Sequence, residues 1–231
     1  MTYSEIHVWG DSVARGIVYD ELRERYAISR ERCTARLQTV LNVKVVNHAT
    51  MGATILDGLQ CFQAFTPVPN ALCAIEFGGN DCDLDWANVA AHPTDAIVPK
   101  VSLALYGQML SSFVARVRAG GMIPMLVTPA PLHAERYLNW VTRGLDRASV
   151  LAALGDVNHI YRWHERYAIA MRTVAAQCAC QLLDIRDVFL AQPNFEALLC
   201  VDGIHPSSLG HRLIADTAVA LCTAPASSAA C

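Results

Sequence analysis

The sequence has no cluster of basic residues and no long apolar run, and both absences narrow the classes of protein that it fits. The formal net charge is −3 at pH 7, and no window is rich in Lys or Arg, so we expect no nucleic-acid partner. The longest apolar runs, such as MIPMLV at 122–127, fall far short of the roughly 20 residues that span a bilayer. The opening residues MTYSEIHVWGD lack the basic start and apolar core of a signal peptide, so we expect a cytoplasmic protein without a membrane span.

Several signatures of metal and cofactor chemistry are missing too. No glycine-rich loop ends in Lys followed by Ser or Thr, which argues against a nucleoside-triphosphate enzyme. Only one residue separates Cys178 from Cys180, and no matching pair follows, so the sequence does not predict zinc. His133 and Glu135 resemble half of a zinc-deaminase signature, but the Pro-Cys-x-x-Cys half does not follow. We therefore expect neither a metal nor a cofactor.

Cysteine itself is not scarce, but its number argues against a disulfide framework. Nine cysteines make an odd set in a chain of 231 residues, which is far longer than a small disulfide-stapled scaffold. Five of them lie among Leu, Val and Ala at positions typical of a core, namely Cys33, Cys61, Cys73, Cys178 and Cys222. We expect reduced thiols that pack as small apolar side chains.

Short apolar runs alternate with longer helical patterns along the chain. Five runs read as buried strands: 6–9, 43–49, 72–78, 122–129 and 180–185. Helical spacing covers 30–41, 100–119 (ending at Gly120 and Gly121), 160–179 and 208–222. Such alternation predicts a parallel sheet with helices on both faces, and ligands then bind beyond the carboxyl ends of the strands.

We find no internal repeat and no linker, so we expect a single domain over residues 1–223. The interval 130–158 is too long for a structureless loop, and we expect a helical excursion that serves as a lid or as the surface of a homodimer. The last residues, 224–231, are small and polar after the final helix, and we expect them to be frayed.

Polar residues follow the predicted strands at the edge where ligands are expected. Ser12 follows the first strand, but a serine hydroxyl needs a base to become a nucleophile. Asp202 and His205, three residues apart before the last helix, could supply an oriented base. Gly52 and Asn80 could donate N–H groups to a developing oxyanion. Each of these residues alone is typical of a turn or a helix cap, whereas together they predict one catalytic edge.

Four short blocks carry a resemblance to a known family. Gly-Asp-Ser stands at 10–12, a glycine at 52, Gly-Gly-Asn-Asp at 78–81 and Asp-Gly-Ile-His-Pro at 202–206. In these blocks the chain resembles the SGNH hydrolases, also called GDSL-type esterases and lipases. The resemblance implies a flavodoxin-like α/β fold, a three-layer α/β/α sandwich with a five-stranded parallel sheet. No Gly-x-Ser-x-Gly elbow occurs, which argues against the α/β-hydrolase arrangement.

The resemblance also implies a role for each residue of the site. Ser12 would be the nucleophile, His205 the base and Asp202 the acid that orients it. The oxyanion hole would consist of the backbone N–H groups of Ser12 and Gly52 with the side chain of Asn80. Val13 stands where the family usually has leucine, which is a conservative apolar exchange.

Other residues near these blocks are expected to support the site. Asp11 and Asp81 are interpreted as hydrogen-bonding neighbours of the functional groups rather than as acid catalysts. The loop at 83–98 is longer than a minimal member needs and could line a substrate pocket, with Trp86 as a wall. Trp140 is a second candidate, although ordinary packing explains both tryptophans at least as well.

The resulting hypothesis is a serine esterase that acts on a small-molecule ester. We expect it to remove a short acyl group, acetyl above all, from a carbohydrate or another small alcohol. A lysophospholipase or thioesterase type of acylhydrolase, or an acyltransferase, would use the same residues. A non-catalytic binding module with the same fold is the alternative from another class, and the intact Ser12, Asn80, Asp202 and His205 argue against it.

Overall fold

A computed structural model describes residues 3–223 of the chain. Its strands are β1 Ile6–Gly10, β2 Ile17–Asp20, β3 Arg25–Ile28, β4 Val45–Asn47, β5 Leu72–Glu76, β6 Ile123–Val127 and β7 Gln181–Leu183. Its α-helices are α1 Ser12–Arg15, α2 Cys33–Leu41, α3 Ile55–Gln63, α4 Trp86–Ala91, α5 Leu103–Ala119, α6 Ala134–Val141, α7 Arg147–Leu154, α8 His159–Gln177, α9 Ile185–Leu190 and α10 Ser208–Thr223. One 3₁₀ turn, Phe195–Leu198, precedes the last helix.

Five strands form a parallel sheet in the order β4-β1-β5-β6-β7. Because the strands are parallel, their carboxyl ends lie at one edge; Gly10, the last residue of β1, pairs with Glu76, the last residue of β5. The chain order makes every connection a crossover, so helices cover both faces. The predicted α/β/α fold with a five-stranded parallel sheet is confirmed.

Alternation along the strands divides the core between the two faces of the sheet. Trp9 and Ile75 point to the face covered by α3, α5 and α8. Val8 and Ala74 point to the opposite face, which α2, α9 and α10 cover. This period of two within each strand is the pleat of an extended chain buried on both sides. The sheet is therefore a rigid support for whatever follows the strand ends.

The five predicted strands and the four predicted helices are all present, with ends shifted by a few residues. The antiparallel hairpin of β2 and β3 was not predicted. The prediction that Cys61 lies in the core is wrong, because its side chain is exposed. Residues 55, 58, 59 and 62 form the inward face of α3, and position 61 points away from it.

The interval 130–158 folds into α6 and α7, so its helical character is confirmed. These helices bury Leu138, Val150 and Leu154 in a third apolar cluster that also includes Leu84 and Val89 from the 83–98 region. A role as a lid or a dimer surface stays a prediction. The predicted frayed tail, 224–231, lies outside the described residues. Among residues 3–223, no helix is long and apolar enough to cross a membrane.

Candidate active site

Ser12 lies at the junction between β1 and α1. Gly10 ends the strand, and a Cβ there would lie 2.4 Å from the carbonyl oxygen of Glu76, so only glycine allows this close approach of the two strands. Asp11 then caps α1, since its Oδ1 accepts a hydrogen bond of 2.8 Å from the backbone N–H of Val13. Ser12 is the first residue of that helix, directly beyond the strand end.

His205 connects Ser12 with Asp202. His205 Nε2 lies 2.9 Å from Ser12 Oγ, and His205 Nδ1 lies 2.6 Å from Asp202 Oδ2. The backbone N–H groups of Ile204 and His205 both donate to Asp202 Oδ1 at 3.1 Å. Gly203 has φ +76°, and a Cβ there would lie 2.7 Å from the backbone nitrogen of Tyr137, so the turn requires glycine. The three predicted residues are therefore brought together.

The charge of Asp202 fixes the hydrogen positions on the imidazole. Burial by itself would raise the pKa of this carboxyl, but the hydrogen bonds from the His205 side chain and from the backbone lower its pKa below the ordinary value. Asp202 is thus a carboxylate that accepts the Nδ1–H of His205. A neutral imidazole then has its lone pair at Nε2, so the Ser12 hydroxyl donates to it.

Gly52 and Asn80 line the same cleft as Ser12 and His205. Gly52 has φ +81°, a conformation that favours glycine, in the loop after β4. The Asn80 amide donates one N–H to Asp11 Oδ2 at 3.1 Å. That bond orients the amide and leaves its second N–H available to a ligand.

A pair of buried carboxyl groups lies beneath this arrangement. Asp11 and Glu76 are both almost fully buried, and Glu76 Oε2 accepts a 3.2 Å hydrogen bond from Ala14 N. Burial raises the pKa of both carboxyls, and the negative charge of Asp11 raises the pKa of Glu76 further. Glu76 was not singled out from the sequence, although a glutamate at the end of the apolar run LCAIE was a signal. The pair therefore accepts hydrogen bonds from the two residues that follow Ser12, Val13 and Ala14, and from the amide of Asn80.

Asp81 supports a neighbouring element instead of the cleft. Its Oδ1 accepts a 2.9 Å hydrogen bond from the N–H of Ile55, the first residue of α3. Burial raises its pKa to about 7. Asp81 therefore fixes the loop that carries Asn80 to the start of α3.

The two tryptophans lie in different surroundings. Trp140 lines the cleft of Ser12, as do Tyr26 from the unpredicted β3 and Tyr137 from α6. Trp86 instead lines an adjoining apolar cavity, and its Nε1 donates to Asp83 Oδ1 at 2.9 Å. Tyr137 belongs to the walls of both spaces. The sequence offered no signal for Tyr26, because it reaches the cleft only through the hairpin.

Comparison with known proteins places this geometry in a family. No curated protein sequence matches the chain. Among solved structures, the lipase/acylhydrolase from Enterococcus faecalis is 18% identical with a TM-score of 0.64, and 93% of each chain is covered. An acetyl-xylooligosaccharide esterase from Geobacillus Stearmophilus, solved as a mutant, is 19% identical with a TM-score of 0.64, covering 96% of this chain and 95% of that one.

A third solved structure, an acetyl xylan esterase, is 17% identical with a TM-score of 0.62, and it covers 94% of this chain and 98% of its own. At these identities the likeness concerns the fold. The model of the GDSL-like lipase/acylhydrolase family, in contrast, matches residues 8–213 of the sequence itself. The chain belongs to the GDSL-like lipase/acylhydrolase family, whose members are hydrolases.

Proposed function

We propose that the chain is a serine esterase that removes a short acyl group, acetyl above all, from a carbohydrate or another small alcohol. The observation that carries the proposal is the continuous hydrogen-bond chain from Ser12 Oγ through His205 to Asp202. A serine in this arrangement has a base at Nε2, and the base has a carboxylate that stabilises its cation. Ser12 lines a cleft that a small ester can enter.

In the first half of the reaction, Ser12 Oγ attacks the ester carbonyl carbon while His205 Nε2 takes the hydroxyl proton. The carbonyl oxygen becomes an oxyanion, which the backbone N–H groups of Ser12 and Gly52 and the free amide N–H of Asn80 stabilise. His205 then returns the proton to the alcohol oxygen as the carbon–oxygen bond breaks. The alcohol leaves, and the acyl group stays on Ser12.

In the second half, water attacks the acyl carbon and gives its proton to His205 Nε2. The same three donors stabilise the second oxyanion, and collapse returns the proton to Ser12 Oγ as the carboxylic acid leaves. Asp202 is a carboxylate throughout and stabilises the imidazolium in both halves. No step requires a metal or cofactor.

The proposed preference for an acetylated carbohydrate is supported by the lining of the cleft and by the names of two similar structures. The walls of the cleft include the aromatic side chains of Tyr26, Tyr137 and Trp140, which suit the faces of a sugar ring. Two of the similar structures are named as acetyl esterases of xylan or xylo-oligosaccharides. A longer acyl chain is the second candidate, since the adjoining apolar cavity contains Leu84, Leu132 and Ile160. That candidate corresponds to a lysophospholipase or thioesterase type of acylhydrolase.

The test is hydrolysis of p-nitrophenyl acetate, butyrate and octanoate by the wild-type chain, by Ser12→Ala and by Ser4→Ala. Ser4 is exposed and precedes β1, whereas Ser12 lies beyond the opposite end of that strand, so the loss of Ser4 controls for the substitution itself. We expect Ser12→Ala to reduce kcat by at least about 10⁴-fold and Ser4→Ala to retain activity. Preference for acetate supports the short acyl group, and preference for octanoate supports the second candidate. Equal rates for Ser12→Ala and wild type would favour a non-catalytic binding module.

A further inference from the structure

A second histidine, His164 of α8, lines the cleft of Ser12 without belonging to its hydrogen-bond chain. Its side chain is only 1% exposed, yet it belongs to the walls of both the catalytic cleft and the adjoining apolar cavity. It therefore stands where the two spaces meet. The reaction described above gives it no role.

Arg186 determines which nitrogen of His164 carries the hydrogen. Arg186 Nη1 lies 2.9 Å from His164 Nδ1. A guanidinium group can only donate, so Nδ1 is the acceptor and the hydrogen of the neutral ring is on Nε2. Burial and the positive charge of Arg186 both lower the pKa of His164 well below its ordinary value. The ring is thus a neutral Nε2–H donor.

The arginine that sets this tautomer is itself held firmly. Arg186 is fully buried, and its side chain forms an ion pair with Glu165. Its guanidinium carbon lies 4.9 Å from the ring centre of Tyr161, and its backbone N–H donates to Thr128 Oγ1 at 3.1 Å. A donor supported in this way loses little side-chain freedom when a ligand binds.

Among residues 3–223, the His164 side chain makes one hydrogen bond, that of Nδ1 with Arg186, so its Nε2–H is left for a ligand. A donor in the wall of a cleft can give its hydrogen to an oxygen atom of a bound ligand. We propose that His164 is a specificity-determining residue that donates a hydrogen bond from Nε2 to an oxygen atom in the alcohol part of the substrate.

The alcohol part follows from the chemistry of the proposed function, on which this inference rests. The carbonyl oxygen of the ester is bound by the N–H groups of Ser12, Gly52 and Asn80, and an acetyl group has no other hydrogen-bond acceptor. A sugar or polyol offers ring and hydroxyl oxygens beside the ester. The substrate class is therefore an acetylated polyhydroxy alcohol, in which an oxygen near the ester accepts from His164.

The experiment compares two acetates of six-membered rings that differ in their acceptors. Cyclohexyl acetate has no oxygen beyond the ester, whereas a monoacetylated methyl xyloside has a ring oxygen and hydroxyl groups. We measure kcat and KM for wild type, His164→Phe and His164→Gln, and follow thermal unfolding of all three. His164→Phe keeps a flat ring but has no donor, whereas His164→Gln keeps an N–H.

We expect His164→Phe to lower kcat/KM for the xyloside about tenfold more than for cyclohexyl acetate, the worth of one lost hydrogen bond. His164→Gln should restore most of the difference. An equal loss on both acetates in both variants would show a merely structural role and overturn the inference, as would no loss on either. A wild-type chain inactive on every ester would instead overturn the proposed function, and this inference with it.

Discussion

His205 and His164 line the same cleft, but their Nδ1 atoms face groups of opposite charge. Asp202 lies 2.6 Å from His205 Nδ1, whereas Arg186 lies 2.9 Å from His164 Nδ1. A carboxylate stabilises an imidazolium, and a guanidinium opposes it. In the proposed reaction His205 gains a proton, whereas His164 remains a neutral donor.

This contrast shows that the residue type alone does not define what a histidine does. His205 has a lone pair at Nε2, which faces Ser12, whereas His164 has a hydrogen at Nε2. In each case the partner on the far side of the ring selects the tautomer. Changing the partner should therefore change the chemistry without touching the imidazole.

Asp202→Asn makes the most drastic change of this kind. An amide removes the charge that stabilises the imidazolium and can donate to Nδ1, which would move the ring hydrogen to Nε2. We expect kcat for p-nitrophenyl acetate to fall about 10³–10⁴-fold. Steady-state kinetics on the purified variant measure the effect.

The matched control is Asp216→Asn, because Asp216 is an exposed aspartate of α10 that pairs with Arg36 and does not line the cleft. It should retain wild-type rates. A loss below tenfold in Asp202→Asn would contradict a role for the carboxylate in stabilising the His205 cation. Asparagine still offers Oδ1 to the N–H groups of Ile204 and His205, so the turn should remain folded.

Asn80→Ala separates the two kinds of donor that the cleft offers. The Asn80 amide would stabilise an oxyanion formed from any ester, whereas His164 would bind only substrates with an additional oxygen. We expect Asn80→Ala to lower kcat about 10²–10³-fold, to a similar extent for cyclohexyl acetate and for the acetylated xyloside. The control is Asn194→Ala, which removes an exposed amide that does not line the cleft. A strong dependence on the alcohol would contradict the oxyanion role.

The features that could be predicted are the strands and helices and the short motifs directly adjacent to them in the sequence. The strand LCAIE and the block that follows it are adjacent, so the sheet and the edge carrying Asn80 could be read together. Ser12 and His205 are 193 positions apart, but Ser12 follows the first predicted strand and His205 comes shortly before the last predicted helix, and parallel topology relates these positions. Their catalytic roles stay predictions.

The residues that could not be predicted depend on contacts between distant elements. His164 lies in the run WHERY, where nothing indicates that Arg186 will approach from α9, 22 positions away. Tyr26 reaches the cleft only because IVYD and RYAI pair as a hairpin, and these runs lack a clear apolar alternation. The raised pKa of Glu76 depends on its burial and on the negative charge of Asp11, which is distant in sequence. The properties of these three residues therefore follow from their surroundings in the fold and not from their residue types.

A third histidine tests whether burial without a charged partner also keeps a ring neutral. His211 of α10 is fully buried, its Nε2 lies 3.1 Å from the carbonyl oxygen of Ile17, and its Nδ1 has no partner among residues 3–223. Burial lowers its pKa from 6.5 to about 4. Between these values the unfolded chain binds a proton that the folded chain does not.

The free energy of unfolding should therefore decrease as the pH falls from about 6.5 towards 4, with His211 contributing up to about 1.4 kcal/mol per pH unit. Urea unfolding at a series of pH values measures this slope for wild type, His211→Gln and the exposed control His92→Gln. Glutamine can donate to Ile17 but cannot take the proton, so His211→Gln should make the slope shallower, while His92→Gln should leave it unchanged; the remaining slope includes His164, whose pKa is also lowered. A wild-type slope in His211→Gln would mean that this ring is protonated in the folded chain. Burial alone would then be insufficient to keep a histidine neutral. The charge of Arg186 beside His164 would be the decisive difference between the two rings.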